Sequence, residues 1–313
     1  MSAGRKVADG DAKPPLKARL RAWWDGYELA VEPEGDTGEP APSAAPPRDD
    51  GPPTVKGWSL SRQQSVVTLF GEGMVRCIPD DAKSRLTKPL GINKKLSVAE
   101  LGAGLGGFAR WVAHEYDAYV TGYEPDAVLM EAGAEMTKMA GQARHVSFLP
   151  CDFEKFTPKP RSADIVYASE ALFHVRHKPE TFRAIYDMLR PSGQFMMSDY
   201  MLEGKVKDAT ALKDWQQAEP LPPHLMEVQE ARKLLTAIGF EVSIAENITA
   251  EYKANVMRAF ADYATRTGNG EKSGHLHDWI LKEGELWLNR TRMMDAGILQ
   301  VFRIYARKPV EIT

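Results

Sequence analysis

The feature that most constrains this chain is a cluster of glycines directly after an apolar run, in the stretch ELGAGLGG at residues 100–107. The segments around it have the apolar patterns of a strand, a helix and a second strand, at residues 97–102, 107–116 and 118–124. Gly102, Gly104 and Gly106 give the spacing G-x-G-x-G. Glycine is needed where a turn adopts positive φ or where the backbone must approach a ligand closely. The stretch therefore predicts a strand–turn–helix–strand unit whose turn contacts a ligand.

The same alternation of strands and amphipathic helices continues to the end of the chain. Five further strands are predicted at residues 145–152, 163–170, 193–201, 241–247 and 297–308. Strands separated by helices indicate a mostly parallel sheet covered on both faces. No compact crossover separates the last two strands, so the last one is predicted to be antiparallel. The fold class is α/β, a Rossmann-like seven-stranded mostly parallel sheet with helices on both faces and a helical cap insertion at about 250–290.

Three parts are predicted along the chain: an N-terminal amphipathic helix at 1–30, a disordered linker at 31–56 and the α/β domain at 57–313. Seven prolines and six acidic residues among positions 31–54 leave too little apolar surface to offset the entropy of ordering. The helix carries apolar and basic residues at helical spacing, namely Leu16, Lys17, Arg19, Leu20, Arg21, Trp23, Trp24 and Tyr27. Two interpretations stay open: peripheral membrane contact through residues 14–30, and docking on this domain or on a second subunit of a homodimer.

Composition and charge limit the classes of partner. The net charge is −3 and the pI about 6.2, so no positive field favours binding to nucleic acid. The two cysteines, Cys77 and Cys151, are too few for a disulfide framework or a zinc cluster, and no metal is expected. The N-terminus lacks an apolar signal-peptide core. A cytoplasmic location is expected.

Acidic residues follow the next two predicted strands. Glu124 ends the second strand, about twenty residues after the glycine turn, where a carboxylate can accept both hydroxyls of a ribose. Asp152 ends the third strand beside Phe153, a pair that suits the amino group and the ring face of adenine. The carboxyl ends of neighbouring parallel strands form the usual ligand crevice of an open α/β sheet. These residues predict an adenosine site.

Glu100 distinguishes between two adenosine ligands. A dinucleotide fingerprint usually reads G-x-G-x-x-G and presents a helix N-terminus to a pyrophosphate. Here the spacing is G-x-G-x-G, and an acid before it would repel a pyrophosphate but suits an amino group. The predicted cofactor is S-adenosylmethionine, which carries an ammonium and a sulfonium. Its predicted binding residues are Glu100, Gly102, Gly104, Gly106, Glu124, Pro125, Asp152, Phe153 and Ser169.

The stretch ELGAGLGG with Glu124 and Asp152 resembles the class I S-adenosylmethionine-dependent methyltransferases across residues 90–245. Several further segments are similar to one subgroup, the phosphoethanolamine methyltransferases. They are LFGEGMV at 69–75, the long stretch 166–201, GFEVSIAENIT at 239–249 and the C-terminal stretch 277–308. This resemblance spans about 57–308. It implies that His174, in the loop after the fourth strand, acts as a base or orienting group, which an imidazole can do near neutral pH.

The chain departs from that subgroup where a phosphate would bind. Trp58 stands at the place of a lid tyrosine, Ser169 at that of an arginine, and Glu285 at that of a lysine. The segment EPLPPHL at 219–225 has no basic fork. A phosphate monoester needs charge-assisted donors, preferably arginine. The expected acceptor is therefore a small molecule, an amine or a lipid-like compound, rather than phosphoethanolamine.

The predicted pocket combines acids with aromatic rings, whose faces attract ammonium groups. The predicted catalytic residues are His174, Glu170 and Tyr200, and the predicted substrate-binding residues are Trp58, Arg76, Phe173, Asp199, Trp215 and Glu285. A structural hydrogen-bonded pair is an equal interpretation of Asp199 and Tyr200. The alternative functions are methyl transfer to a thioether, hydroxyl or carbon acceptor, methylation of a macromolecule, and a non-catalytic interaction protein that binds the cofactor. The acidic balance and the loop sequence SEALFH, in place of an Asn/Asp-Pro-Pro-Tyr/Phe loop, argue against nucleic acid as substrate.

Overall fold

The structure of the protein is a computed structural model that describes residues 57–204, 206, 208–267 and 275–310. The predicted N-terminal helix at 1–30 and the predicted linker at 31–56 lie outside these ranges, as does part of the predicted cap at 268–274. None of the described helices is both long enough and apolar enough to cross a membrane.

Helices and strands alternate through the described domain. Two helices precede the sheet, α1 (Leu60–Phe70) and α2 (Asp80–Thr87). The described strands are β1 (Ser97–Leu101), β2 (Tyr119–Glu124), β3 (Val146–Pro150), β4 (Ala163–Ser169), β5 (Leu189–Met201), β6 (Glu241–Asn247) and β7 (Gln300–Arg307). The remaining helices are α3 (Gly107–Tyr116), α4 (Ala127–Met139), α5 (Lys178–Met188), α6 (Ala209–Ala218), α7 (Val228–Ile238), α8 (Thr249–Thr267) and α9 (His275–Asp295). Short 3-10 turns occupy Lys88–Leu90 and Phe153–Lys155.

The strands form one sheet in the order β3-β2-β1-β4-β5-β7-β6. The first five strands of the chain pair in parallel, and β7 runs antiparallel to both β5 and β6. The predicted seven-stranded, mostly parallel sheet with an antiparallel last strand is confirmed. The strand order reverses between β1 and β4, and such a switch point opens a crevice at the carboxyl ends of the strands.

Side chains of β1 alternate between two apolar layers. Val98 packs with Phe108 of α3 on one face, while Leu101 packs on the other face with Phe182 of α5 and Leu235 of α7. The side chains of these five residues, two from β1 and three from the helices, are all buried. A strand buried on both faces reads as a continuous apolar run, and this is why the strands are visible in the sequence. The two layers fix the sheet edge that carries the site.

Three local features differ from the sequence-based expectation. Strand β5 begins at Leu189, before its predicted start at residue 193, and it includes the segment PSG at 191–193. The pairing of β5 with β4 shifts between Ala163 and Ile165, and Ser192 adopts a φ of 65°. Helix α6 is present where none was predicted. Helices α1 and α2 lie before the first strand, where no element was predicted. The helical stretch that was predicted at about 250–290 is present as α8 and α9.

Candidate functional site

The carboxyl ends of β1, β2 and β4 border a cavity of about 220 Å³, which the start of α1 and one face of α9 cover from the other side. The predicted site residues that line it are Trp58, Arg76, Gly102, Gly104, Glu124, Pro125, Phe153, Glu170, Phe173 and His174. Further lining residues, which the sequence did not single out, include Arg62, Val75, Glu283, Leu286, Trp287 and Arg290. Among the described residues, no group of three or more His, Cys, Asp or Glu is arranged to hold a metal ion.

The glycine turn forms the floor of the cavity. Gly102 and Gly104 have φ values of 73° and 57°, in the left-handed region. A Cβ atom on Gly104 would lie 2.7 Å from Cγ2 of Val75, and one on Gly102 would lie 2.7 Å from Cβ of Ala171. Both the backbone conformation and the contacts therefore require glycine at these positions.

Glu124 is held beside this turn by backbone donors. Its Oε2 accepts a hydrogen bond from the N–H of Gly104 at 2.6 Å, and its Oε1 accepts one from the N–H of Asp126 at 2.9 Å. Burial raises the pKa of Glu124, and these two N–H groups oppose that shift. The carboxylate is fixed at the end of β2 and lines the cavity, where its remaining lone pairs can accept hydrogen bonds from a ligand.

Glu100, a predicted cofactor-binding residue, lies in β1 behind the glycine turn and is not among the residues that line the cavity. Its side chain is buried, and its Oε2 has no hydrogen-bond partner among the described residues. Burial raises the pKa of Glu100 to about 8, partly opposed by the positive charge of Arg76. Arg76 in turn lines the cavity and contacts the carbonyl oxygen of Gly102. A buried carboxyl group with a free oxygen is suited to stabilise a cation brought into this end of the cavity.

Glu170 follows β4 and has a φ of 47°, which is unusual for a residue other than glycine. Its Oε2 accepts a hydrogen bond from the hydroxyl of Tyr200 at 2.9 Å, and this hydroxyl is 2.6 Å from that of Tyr252 in α8. Its Oε1 is buried without a partner in the described part of the chain. The two tyrosines fix one carboxylate oxygen and leave the other for a ligand. The sequence analysis did not find Tyr252.

His174 lies in the same loop, with its ring packed on that of Phe173 at a centroid distance of 3.6 Å. Its Nδ1 is 3.4 Å from the carbonyl oxygen of Pro222. Burial, with a smaller effect from the charge of Arg290, lowers the pKa of His174 to about 4. The imidazole is therefore neutral at neutral pH and can accept a hydrogen bond or a proton.

Two arginines line the helical side of the cavity, and each is paired with a buried glutamate. Nε of Arg62 is 2.7 Å from Oε1 of Glu283. Arg290 makes two hydrogen bonds to Glu219, at 2.9 and 2.7 Å. Neither pair was predicted from the sequence, although the spacing of Glu283, Trp287 and Arg290 in α9 is a helical signal for a shared face. The pairs leave this side of the cavity close to neutral.

The structure places several predicted site residues outside the cavity lining. Glu285 is exposed on α9 and pairs with Lys282 at 3.0 Å, so its expected place in the pocket is wrong, and Glu283 supplies the lining carboxylate. Trp215 packs in an apolar core beneath the cap. Asp152 caps the short turn that begins at Phe153.

Four more predicted residues lie behind the lining. Asp199 is buried and accepts hydrogen bonds from the N–H groups of Leu172 and Tyr200, both at 2.9 Å, which fits the structural interpretation of this residue. Tyr200 reaches the site only through Glu170. Ser169 and Gly106 do not line the cavity either, because Ser169 points to Ser198 and Phe148 covers Gly106.

Comparison with known proteins relates most of the domain to one family. Residues 75–243 match the family described as a methyltransferase domain. The chain is 24% identical over 184 residues to phosphoethanolamine N-methyltransferase 1 of Arabidopsis thaliana, covering 59% of this chain and 36% of that protein. It is 29% identical over 117 residues to sterol 24-C-methyltransferase erg-4 of Neurospora crassa, covering 37% and 31%. The chain thus spans about a third of the length of the curated relatives it matches.

Solved structures share the fold at low identity. Phosphoethanolamine N-methyltransferase 2 of Haemonchus contortus in complex with S-adenosyl-L-methionine aligns with a TM-score of 0.69 and 19% identity, covering 78% of this chain and 56% of that chain. Geranyl diphosphate C-methyltransferase from Streptomyces coelicolor, in complex with Mg²⁺, geranyl diphosphate and S-adenosyl-L-homocysteine, aligns with a TM-score of 0.56 and 13% identity, covering 73% and 77%. At these identities the likeness concerns the fold.

Proposed function

Because the chain belongs to the methyltransferase domain family, we propose that it transfers a methyl group from S-adenosylmethionine to a small-molecule acceptor, an amine or a lipid-like compound. The observation that carries this proposal is the Glu124 carboxylate, fixed by the N–H of Gly104 at the rim of a cavity whose floor has no side chains. An acid at this place suits ribose hydroxyls, and a floor without side chains lets a ligand contact the backbone.

The two carboxyl groups beside the glycine turn support this cofactor over a phosphate-bearing one. Glu100 and Glu124 flank the glycine turn, and the free buried oxygen of Glu100 would stabilise an ammonium group. The ring of Phe153 lines the same end and offers an apolar face for a base. When bound, S-adenosylmethionine supplies a methyl group that its sulfonium already activates. The residues present fit this group.

The acceptor end of the cavity favours an amine or an apolar molecule over a phosphate ester. Aromatic side chains of Trp58, Phe173 and Trp287 line it, and ring faces attract ammonium groups. The two arginines that line it are already paired with buried glutamates, so neither offers an uncompensated charge to a phosphate. The free Oε1 of Glu170 can accept a hydrogen bond from an acceptor N–H.

The role of the protein in this reaction is mainly alignment and exclusion of water. Glu170 would hold the acceptor through an N–H, with its own carboxylate fixed by Tyr200. The neutral imidazole of His174 would orient the acceptor or take its proton. Trp58 and α9 would exclude water from the cavity that they cover.

Binding of the cofactor is measured first, and transfer of its methyl group second. Calorimetric titration with S-adenosylmethionine should show one site per chain. Transfer of labelled methyl from the cofactor to amine, phospholipid, thioether and phenolic extracts should then label an amine or lipid fraction. Absence of cofactor binding would contradict the proposal, and binding without transfer to any fraction would favour a non-catalytic interaction protein.

The substitution His174→Asn is expected to lower kcat/KM for the labelled acceptor about 100-fold, the usual range for loss of a positioned acid–base group. Because the pKa of His174 is lowered to about 4, the wild-type rate should not decline on account of this group until the pH approaches that value. Initial rates between pH 4 and 8 measure both effects.

The matched control is His224→Asn. His224 lies two residues after Pro222, whose carbonyl oxygen is near Nδ1 of His174, but its side chain does not line the cavity. Its backbone N–H donates to the carbonyl oxygen of Phe173. It should keep wild-type kcat/KM. Equal activity of the His174 and His224 variants would remove His174 from the mechanism.

Cofactor binding at pH 7 is expected to release close to one proton per site. Glu100 has a pKa of about 8 in the free protein and is mostly protonated at pH 7. A bound cation lowers the pKa of a neighbouring carboxyl group, so the proton leaves. Titration in two buffers of different ionisation enthalpy measures the release, and Glu100→Gln should abolish it. A binding enthalpy of the wild-type protein that does not depend on the buffer would contradict the proposed contact between Glu100 and the ammonium group of the cofactor.

A further inference from the structure

A second, smaller cavity of about 40 Å³ lies on the far side of Glu170. Its inner end is formed by Glu170 and the buried hydroxyl groups of Ser169 and Ser198, which are 3.1 Å apart. Its outer end is formed by Arg85 and Glu251, an ion pair of 2.5 Å in which both side chains are about half exposed. The cavity therefore runs from the half-buried side chain of Glu170 to the protein surface.

Glu170 is the residue that the two cavities share. Its backbone N–H donates to the carbonyl oxygen of Ser198 at 2.8 Å, which fixes its position beside the inner end of the second cavity. Oε2 of Glu170 accepts the hydrogen bond from the hydroxyl of Tyr200, and Oε1 has no partner among the described residues. The carboxylate of Glu170 can thus face the methyl acceptor in the first cavity and a molecule bound in the second cavity.

The size and lining of the second cavity suit water. A water molecule needs roughly 10–15 Å³ of such volume and two to four polar partners. The volume of about 40 Å³ has room for two or three, and the hydroxyl, carboxylate and guanidinium groups at its two ends provide the partners. Cys77, Asn255 and Tyr252 also line it.

We propose that the second cavity is a water-filled passage that carries a proton from Glu170 to solvent at the Arg85–Glu251 pair. The inference rests on the proposed function with a protonated acceptor such as an amine. When cofactor and acceptor fill the first cavity, the second cavity gives Glu170 a separate path to solvent.

In this step Glu170 is the base and His174 orients the acceptor. The acceptor N–H bond breaks and its electron pair stays on nitrogen, while the proton moves to Oε1 of Glu170. That electron pair forms the N–CH3 bond, and the electrons of the S–CH3 bond remain on sulfur. Glu170 then gives the proton to water in the second cavity, which returns the carboxylate to its starting state.

Cysteine labelling tests whether the passage is open when the first cavity is filled. The Cys151→Ser protein has Cys77 as its one remaining thiol, and Cys77 lines the second cavity. Its rate of modification by methyl methanethiosulfonate should change less than about twofold when the protein is saturated with sinefungin, because the reagent enters by the outer end. Because burial raises the pKa of Cys77 to about 12, little thiolate is present and the reaction is slow. A slowing of more than about tenfold by sinefungin would overturn the passage.

A pair of isosteric variants tests proton transfer itself. Valine and threonine have the same shape, and Ser198→Thr keeps the hydroxyl that Ser198→Val removes. In single-turnover methyl transfer, the valine variant should be about tenfold slower than the threonine variant and show a larger solvent deuterium isotope effect. Both should bind S-adenosylmethionine equally.

Each outcome of this comparison has a separate meaning. Equal rates and equal isotope effects in the two variants would overturn the proton route while leaving the methyltransferase function intact. A wild-type protein that transfers no methyl group would instead remove the proposed function, and the labelling of Cys77 would still decide whether the passage is open.

Discussion

Glu219→Ala is expected to lower the free energy of unfolding by about 3–5 kcal/mol, the cost of leaving a buried charge without its partner. The carboxylate of Glu219 is fully buried, and the guanidinium of Arg290 that it binds twice is 9% exposed. Arg290 also lies 4.8 Å from the ring centroid of Trp287. Denaturant unfolding of the purified variant measures the change.

Two further variants separate this loss from a general effect of mutation. Glu285→Ala breaks the Lys282–Glu285 pair on the same helix, in which Glu285 is 65% exposed, and should cost less than about 0.5 kcal/mol. The double replacement Glu219→Leu with Arg290→Met should recover most of the stability, because no unpaired charge is left. A Glu219→Ala protein as stable as Glu285→Ala would show that solvent reaches Arg290 through the cavity and replaces its partner.

Gly104→Ala is expected to weaken binding of S-adenosylmethionine by about 100-fold, or roughly 2.7 kcal/mol. An alanine there must adopt a φ of 57°, and its Cβ would meet Val75 at 2.7 Å. Relief of this contact moves the turn away from Glu124, whose Oε2 is 2.6 Å from the N–H of Gly104. Calorimetric titration with the cofactor measures the affinity.

Gly91→Ala provides a control with the same backbone cost. Gly91 has a φ of 58°, and an added Cβ would have no heavy atom within 4 Å. Both variants therefore carry the left-handed strain of about 1–2 kcal/mol, but only Gly104→Ala should lose affinity for the cofactor. Equal affinity in the two variants would mean that the glycine turn does not bind the cofactor.

The sequence predicted the sheet well because its strands are buried on both faces. The runs that contain Val98, Val120 and Val166 are apolar and are bounded by glycine, proline or acidic residues, so their ends are visible. Helix α6 was missed because it buries mainly Trp215 and otherwise reads as a polar segment. A local pattern of this kind does not distinguish a short surface helix from a loop.

The sequence predicted the glycine turn and the acid beside it correctly, but it predicted the residues around the acceptor less well. Gly104 and Glu124 are separated by 20 residues within one strand–helix–strand unit, and the geometry of that unit brings them together. Glu283 was missed in favour of Glu285, two positions away, because an alignment by resemblance does not fix the rotation of a helix against the cavity.

By itself, the sequence determined the α/β fold, the turn without side chains after β1 and the acid that faces it, since these depend on backbone geometry within a few neighbouring elements. The tertiary structure decided the pairing of Arg62 with Glu283, 221 residues apart, and of Tyr200 with Tyr252, 52 residues apart. It also decided that Glu170 borders two cavities. Such contacts depend on how helices from distant parts of the chain pack over the sheet, and the periodicity of a single segment carries no information about that packing.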